Sequence, residues 1–125
     1  MKRFTFAMGA GLAGVGIACA QVYPVRPIRL IVPYPPAGPN DMLTRSFNDP
    51  LGKRLGQSVI VDNRGGAATV IGAEIAANSA PDGYTLLLAT VTTLAVAPAL
   101  SKKLPYRPED FVPISMLAAQ PYALA

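Results

Sequence analysis

Apolar residues in this chain fall into short blocks separated by polar, proline-rich and glycine-rich stretches. Three of these blocks, residues 28–32, 58–62 and 84–90, are nearly continuous and rich in leucine or β-branched side chains. Short runs of this kind, bounded by Pro, Gly or Asp, predict strands buried within a sheet. Two later blocks, residues 112–118 and 122–125, have the same character and predict two more strands.

The stretch after the first block has helical periodicity instead. Apolar residues recur every four positions from Leu43 to Leu55, which predicts a helix with one apolar face. Either Asn40 or Asp41 can cap it, and a cap is the simplest explanation of Asp41. Pro50 lies inside this helix and is expected to kink it near Ser46 or to split it.

A second, shorter helix is predicted over residues 70–78, with Ile71, Ile75 and Ala76 on its buried side. The element order is then strand, helix, strand, helix, strand. This order predicts an α/β fold, with a mostly parallel sheet, right-handed crossovers and helices on both faces.

Residues 1–20 have the pattern of a secretory signal peptide. Lys2 and Arg3 precede an uncharged apolar stretch, and the triplet at residues 18–20 fits a small-x-small cleavage site. The apolar stretch is short for a membrane span, which needs about 20 residues. Residues 9–14 match G-x-G-x-x-G, but no strand precedes them, so no dinucleotide cofactor is predicted.

Composition excludes several kinds of site. The 125 residues contain no His and one Cys, which excludes a Ser-His-Asp triad, a Cys-His pair, an imidazole metal site and an internal disulfide. The chain carries 11 Lys and Arg against 7 Asp and Glu, and two of the basic residues belong to the leader. The others are scattered, so nucleic-acid binding is not predicted. No acid–base pair is recognisable, and the sequence does not predict an enzyme.

Three loops should meet at one edge of the sheet: residues 33–40, 63–69 and 90–93. Ligands of open α/β sheets bind beyond the carboxyl ends of the strands. Helix N-termini and glycine-rich turns offer backbone N–H donors there, and Thr90, Thr92 and Thr93 add hydroxyl donors. These loops predict a site for a small carboxylate, although ordinary turns between strands and helices use the same residue types.

The sequence resembles the receptors of tripartite tricarboxylate transporters, also called Bug-type receptors. The matching stretches run in order along the mature chain: residues 23–24, RPIRLIVPYPPAG (26–38), 41, 55–57, VDNR (61–64), 71–74, APDGYTLL (80–87), 98–100 and KLPY (103–106). The resemblance implies a periplasmic binding protein of the Venus-flytrap kind, with two α/β lobes, that passes small organic acids to a membrane permease.

Candidate ligand-binding residues follow from the resemblance together with the loop positions. The first loop contributes Tyr34, Pro36, Ala37, Gly38, Asn40 and Asp41, and the third contributes Thr90, Thr92 and Thr93. No cofactor and no metal are expected. In the family the loops are richer in glycine than here, and this places the glycine-dependent conformations in doubt at Ala37, Ala68 and Thr69.

Family receptors are longer than this chain. We therefore expect residues 21–110 to form an incomplete first lobe, residues 111–125 to begin the crossover to a second lobe, and the chain to be a fragment or a truncated form. Two alternatives stay open: a small exported enzyme acting on a carboxylate, and a structural lobe that binds no ligand and needs a partner chain.

The leader makes a direct prediction. The exported protein should begin at Gln21, because cleavage is expected after Ala20. N-terminal sequencing of the protein recovered from its source cells checks this. An N-terminus at Cys19 carrying a lipid would instead favour lipoprotein processing, and an unprocessed Met1 would contradict export through this leader.

Overall fold

The computed structural model describes residues 23–101 and 103–119. Three parallel strands, β1 (Ile28–Val32), β2 (Val59–Asn63) and β3 (Thr85–Leu87), form a sheet in the order β2-β1-β3. Ile28 lies opposite Val59 and Arg29 lies opposite Thr85. The α/β class and the parallel sheet predicted from the sequence are confirmed. The predicted leader and the strand predicted at 122–125 lie outside the described residues.

Two helices connect the strands. Helix α1 (Pro39–Leu55) joins β1 to β2, and helix α2 (Val70–Ala77) follows a single 3-10 turn at Ala67–Thr69 and leads to β3. After β3 come a π-helix at Thr92–Val96, a short helix α3 (Ala97–Leu100) and a 3-10 turn at Pro108–Asp110. The first crossover runs from β1 to β2, and the second runs in the opposite direction, from β2 across β1 to β3. Right-handed crossovers in opposite directions place α1 and α2 on opposite faces.

The core on the α1 face is built from alternate residues of the strands. Ile28, Leu30 and Val59 are buried there, and Phe47, Leu51 and Leu55 of α1 pack against them. The four-residue spacing of the helix therefore marks its sheet-facing side, as predicted. Half-burial of these side chains gives each a contribution of roughly 1 kcal/mol, below the value of about 2 kcal/mol for full burial.

The start and middle of α1 differ from prediction. Gly38, with extended backbone, is the cap residue, and neither Asn40 nor Asp41 takes that position because Pro39 already begins the helix. Pro50 does not break the helix. Both Pro50 and Ser46, whose carbonyl loses its partner, face solvent, where water can satisfy that carbonyl.

Three further predictions need correction. Helix α2 buries Gly72 and Ala73 and leaves Ile71 44% exposed, because the helix lies too close to loop backbone for a large side chain. The third strand is shorter than residues 84–90, and the π-helix begins inside the loop expected at 90–93. Residues 112–118 form no strand, since no described segment pairs with them; Val112 and Ile114 there are 86% and 79% exposed.

Within the described part of the chain, no helix is both long enough and apolar enough to cross a membrane.

Close packing at Gly72 gives a stability prediction. A Cβ at this position would lie 2.7 Å from Pro33 Cβ and 2.8 Å from the Arg64 carbonyl oxygen. Gly72→Ala should therefore destabilise the protein by about 1–3 kcal/mol, although alanine favours helices. Gly38→Ala is the control, because its φ is −83° and its Cβ would have 3.5 Å to the nearest atom. Urea unfolding that ranks Gly72→Ala as stable as Gly38→Ala would contradict this packing.

Candidate functional site

The carboxyl ends of the three strands lie at one edge of the sheet, as the parallel order requires. The segments that leave this edge are residues 33–38 after β1, residues 64–69 after β2 and residues 88–91 after β3. We call them loop 1, loop 2 and loop 3. The chain leaves the central strand β1 toward β2 and later returns to the other side of β1 as β3. Sheets of this kind bind ligands where the direction of the crossovers changes, which here is the crevice between the ends of β1 and β3.

Asp41 is a buried carboxylate that ties loop 1 to β2. Its side chain is 3% exposed. Oδ2 accepts hydrogen bonds from the Ala37 backbone N–H and from Arg45 Nε, both at 2.9 Å, and Oδ1 accepts one from Asn63 Nδ2 at 2.9 Å. Asn63 Nδ2 also donates to the Tyr34 carbonyl at 3.2 Å. The first and last parts of loop 1 are thus fastened to the same amide group.

These hydrogen bonds stabilise the charged form of Asp41. The hydrogen bond from Arg45, followed by those from Ala37 and Asn63, lowers the pKa of Asp41 from 3.8 to about 2, although burial opposes the shift. Asp62 lies in β2, and burial raises its pKa, but hydrogen bonds from Arg29 and Arg64 outweigh burial and lower the pKa overall. Both carboxylates are therefore ionised at neutral pH.

Hydroxyl groups connect the three loops across the crevice. The Tyr34 hydroxyl of loop 1 lies 2.7 Å from Thr90 Oγ1 of loop 3. Thr90 Oγ1 lies 3.4 Å from Thr93 Oγ1, which donates to Thr69 Oγ1 at 3.1 Å. Each hydroxyl carries one proton. Thr93 gives its proton to Thr69, whereas either hydroxyl can be the donor between Tyr34 and Thr90.

Loops 1 and 2 contain residues with left-handed backbone. Ala37 has φ 64°, Ala67 φ 46°, Ala68 φ 51° and Thr69 φ 77°, and these are the non-glycine residues with positive φ among those described. Ala37, Ala68 and Thr69 thus adopt the left-handed backbone that glycine adopts most easily. Each costs about 1–2 kcal/mol. All of this backbone strain lies at the edge where a ligand is expected, which is typical of binding sites.

The candidate residues divide by exposure. Pro36 and Ala37 are exposed at the tip of loop 1, and Tyr34, Gly38, Asn40, Thr90 and Thr92 are half-buried. Asp41 and Thr93 are buried, at 2% and 0%. The fold brings loop 1 and loop 3 together at Tyr34 and Thr90, whereas Thr92 turns toward a groove of about 300 Å³ between loop 2 and α3. Direct contact of any of these residues with a ligand stays a prediction.

Four residues of these networks were not predicted from the sequence: Arg45, Asn63, Thr69 and Tyr106. Asn63 had a usable signal, because it is a polar residue at the end of a buried strand. Arg45 lies outside the four-residue apolar spacing of α1, and its pairing with Asp41 depends on the path of loop 1, which the sequence does not give. The Tyr106 hydroxyl donates to the Thr93 carbonyl at 2.7 Å, a contact across 13 residues that no local pattern indicates.

A larger groove, of about 470 Å³, lies at the other end of the sheet, between the end of α1 and the start of β2. It contains none of the candidate residues. Among residues 23–101 and 103–119, no group of three His, Cys, Asp or Glu side chains is placed to hold a metal ion.

The family model described as "Tripartite tricarboxylate transporter family receptor" matches residues 43–125. Protein BugT of Bordetella pertussis is 45% identical, over 99% of this chain and 40% of BugT. This chain therefore spans about two fifths of the length of that curated relative, and 35% and 33% of two others from Bordetella.

Solved structures share the fold. MatC from Rhodopseudomonas palustris, solved with bound malate, is 38% identical with a TM-score of 0.72, and the match covers 76% of this chain and 33% of MatC. Another protein of R. palustris, solved with adipate, is 32% identical with a TM-score of 0.60, over 70% of this chain and 29% of that one. The shared region is one α/β lobe of a periplasmic binding protein.

The Asp41 network predicts a specific acid sensitivity. A carboxylate whose pKa is lowered in the folded state stabilises the protein above its ordinary pKa, and this stability is lost as pH falls from 3.8 to about 2. Asp41→Asn should flatten the decline of the urea midpoint over that interval. Asp49→Asn, on the exposed face of the same helix, should leave the decline as in the wild type. Equal pH profiles for wild type and Asp41→Asn would contradict the assignment.

Proposed function

The chain belongs to the tripartite tricarboxylate transporter receptor family, and we propose that it supplies one lobe of a periplasmic receptor that captures a small dicarboxylate. The receptor would present the bound acid to a membrane permease of such a transporter. Export through the predicted leader would carry the protein to the periplasm, where the receptors of this family act. Two observations support this proposal: the family match over residues 43–125 and the edge formed by the three loops, which is rich in hydrogen-bond donors.

One observation carries the proposal: the hydrogen bond of 2.7 Å between the Tyr34 hydroxyl and Thr90 Oγ1. It joins the loops that follow β1 and β3, at the crevice where ligands of this fold class bind. A carboxylate only accepts hydrogen bonds, and both hydroxyls are half-buried donors at this point. An arriving carboxylate would accept hydrogen bonds from these hydroxyls in place of the one that now joins them.

Backbone groups add further donors. Pro39 has no N–H, so the N–H groups of Asn40 and Asp41 are the ones left without partners in the first turn of α1. The helix dipole favours an anion there. Asp41 places a negative charge close by. The hydrogen bonds from Arg45 and Asn63 compensate this charge, so that a ligand carboxylate can still bind at the edge.

Relatives indicate the class of ligand. Malate is bound to MatC, and adipate is bound to the other structural neighbour. Both are short dicarboxylates, and the edge described here presents donors from two sides of one crevice. We therefore assign this protein a dicarboxylate of similar length, with one carboxylate held between loop 1 and loop 3.

Calorimetric titration of the exported protein with malate and adipate tests the proposal. At least one acid should bind, and both Tyr34→Phe and Thr90→Val should weaken it about tenfold or more, because a hydrogen bond to a charged group contributes about 1.5–3 kcal/mol. Ser79→Ala is the control, since its hydroxyl bonds the Ile75 carbonyl at the end of α2. Failure to bind either acid, or unchanged affinity in both variants, would contradict the proposal.

A further inference from the structure

Tyr106 lies outside the ligand edge but connects to it through Thr93. Its side chain is 3% exposed and packs edge-on against Phe111, with ring centroids 5.7 Å apart. The hydroxyl donates to the Thr93 carbonyl at 2.7 Å. Burial raises the pKa of Tyr106, so the hydroxyl remains a protonated donor at neutral pH.

The Thr93 carbonyl lacks a backbone N–H donor, and the Tyr106 hydroxyl supplies its hydrogen bond. It lies in the π-helix Thr92–Val96, where the Ala97 N–H donates to the Thr92 carbonyl five residues earlier. The same pattern would give the Thr93 carbonyl the N–H of residue 98, but this residue is Pro98 and has none. Thr93 is fully buried, so an unpaired carbonyl there would be costly. The Tyr106 hydroxyl takes the place of the missing amide.

We infer that Tyr106 is a positioning residue for the ligand edge, acting through Thr93. Held by Tyr106 at its carbonyl, Thr93 donates its own hydroxyl proton to Thr69 in loop 2, and its Oγ1 lies 3.4 Å from Thr90 Oγ1 in loop 3. Thr90 in turn shares a hydrogen bond with the Tyr34 hydroxyl in loop 1. One buried tyrosine thereby fixes the geometry in which loop 3 meets the other two loops. The expected effect of Tyr106 on ligand affinity rests on the proposed function. The expected effect on the order of the loops rests on geometry alone.

The test removes one oxygen atom. Tyr106→Phe keeps the ring against Phe111 and deletes the donor. Tyr23→Phe is the matched control: its hydroxyl also donates to a backbone carbonyl at 2.7 Å, that of Gly83, at the opposite edge of the sheet. Affinity for malate and adipate is measured by calorimetry on the exported protein, and amide exchange is measured without ligand. The Tm of each variant is recorded beside both.

Tyr106→Phe should weaken binding about tenfold and speed amide exchange in loops 2 and 3, whereas Tyr23→Phe should change neither. A fall in Tm with unchanged affinity and unchanged loop exchange would overturn the inference, since Tyr106 would then be merely structural. If wild-type protein binds neither acid, the proposed function fails, and the exchange comparison still decides the role of Tyr106.

A second pair of variants covers the case in which Tyr106→Phe does not fold. Thr93→Val removes the hydroxyl that links loops 2 and 3 at nearly constant volume, and Thr93→Ser keeps it. Thr93→Val should reproduce the loss of affinity and the faster loop exchange, and Thr93→Ser should restore both toward wild type. Equal behaviour of the two variants would overturn the inference.

Discussion

A carboxylate with 3% of its side chain exposed must be fully hydrogen-bonded, and in this protein that requirement shapes the ligand edge. Asp41 recruits the Ala37 amide, the Asn63 side chain and Arg45. Satisfying it brings the end of β2 against loop 1 and fixes the path of the chain from β1 into α1. Burial of one charge thereby determines where a whole loop runs.

The strained backbone of loops 1 and 2 is held in place by contacts with neighbouring residues. Residues with left-handed backbone, such as Ala68 and Thr69, cost free energy that only the surrounding structure can offset. The hydrogen bond between Thr93 and Thr69 and the close approach of Gly72 to the Arg64 carbonyl hold loop 2 at its two ends. The protein therefore stores its backbone strain in the same loops that converge on the proposed ligand crevice, where rigid donors favour selective binding.

Sequence patterns predicted the scaffold better than the contacts. β1 was predicted with its observed bounds, and the parallel sheet followed from the order of elements, because periodicity and local breakers determine both. The unbroken helix at Pro50 and the pairing of Arg45 with Asp41 depend on solvent exposure and loop path, which no local pattern reports. Tyr106 is the clearest case: its role arises from a missing amide at Pro98 and a contact distant in sequence.

The most direct test of this account is a crystal structure of the exported protein with the dicarboxylate that it binds. The account predicts one ligand carboxylate at the carboxyl ends of β1 and β3, within hydrogen-bond distance of the Tyr34 or Thr90 hydroxyl, with the bond between Asp41 and Asn63 intact. A ligand bound in the groove between the end of α1 and the start of β2, or one that contacts neither hydroxyl, would contradict it.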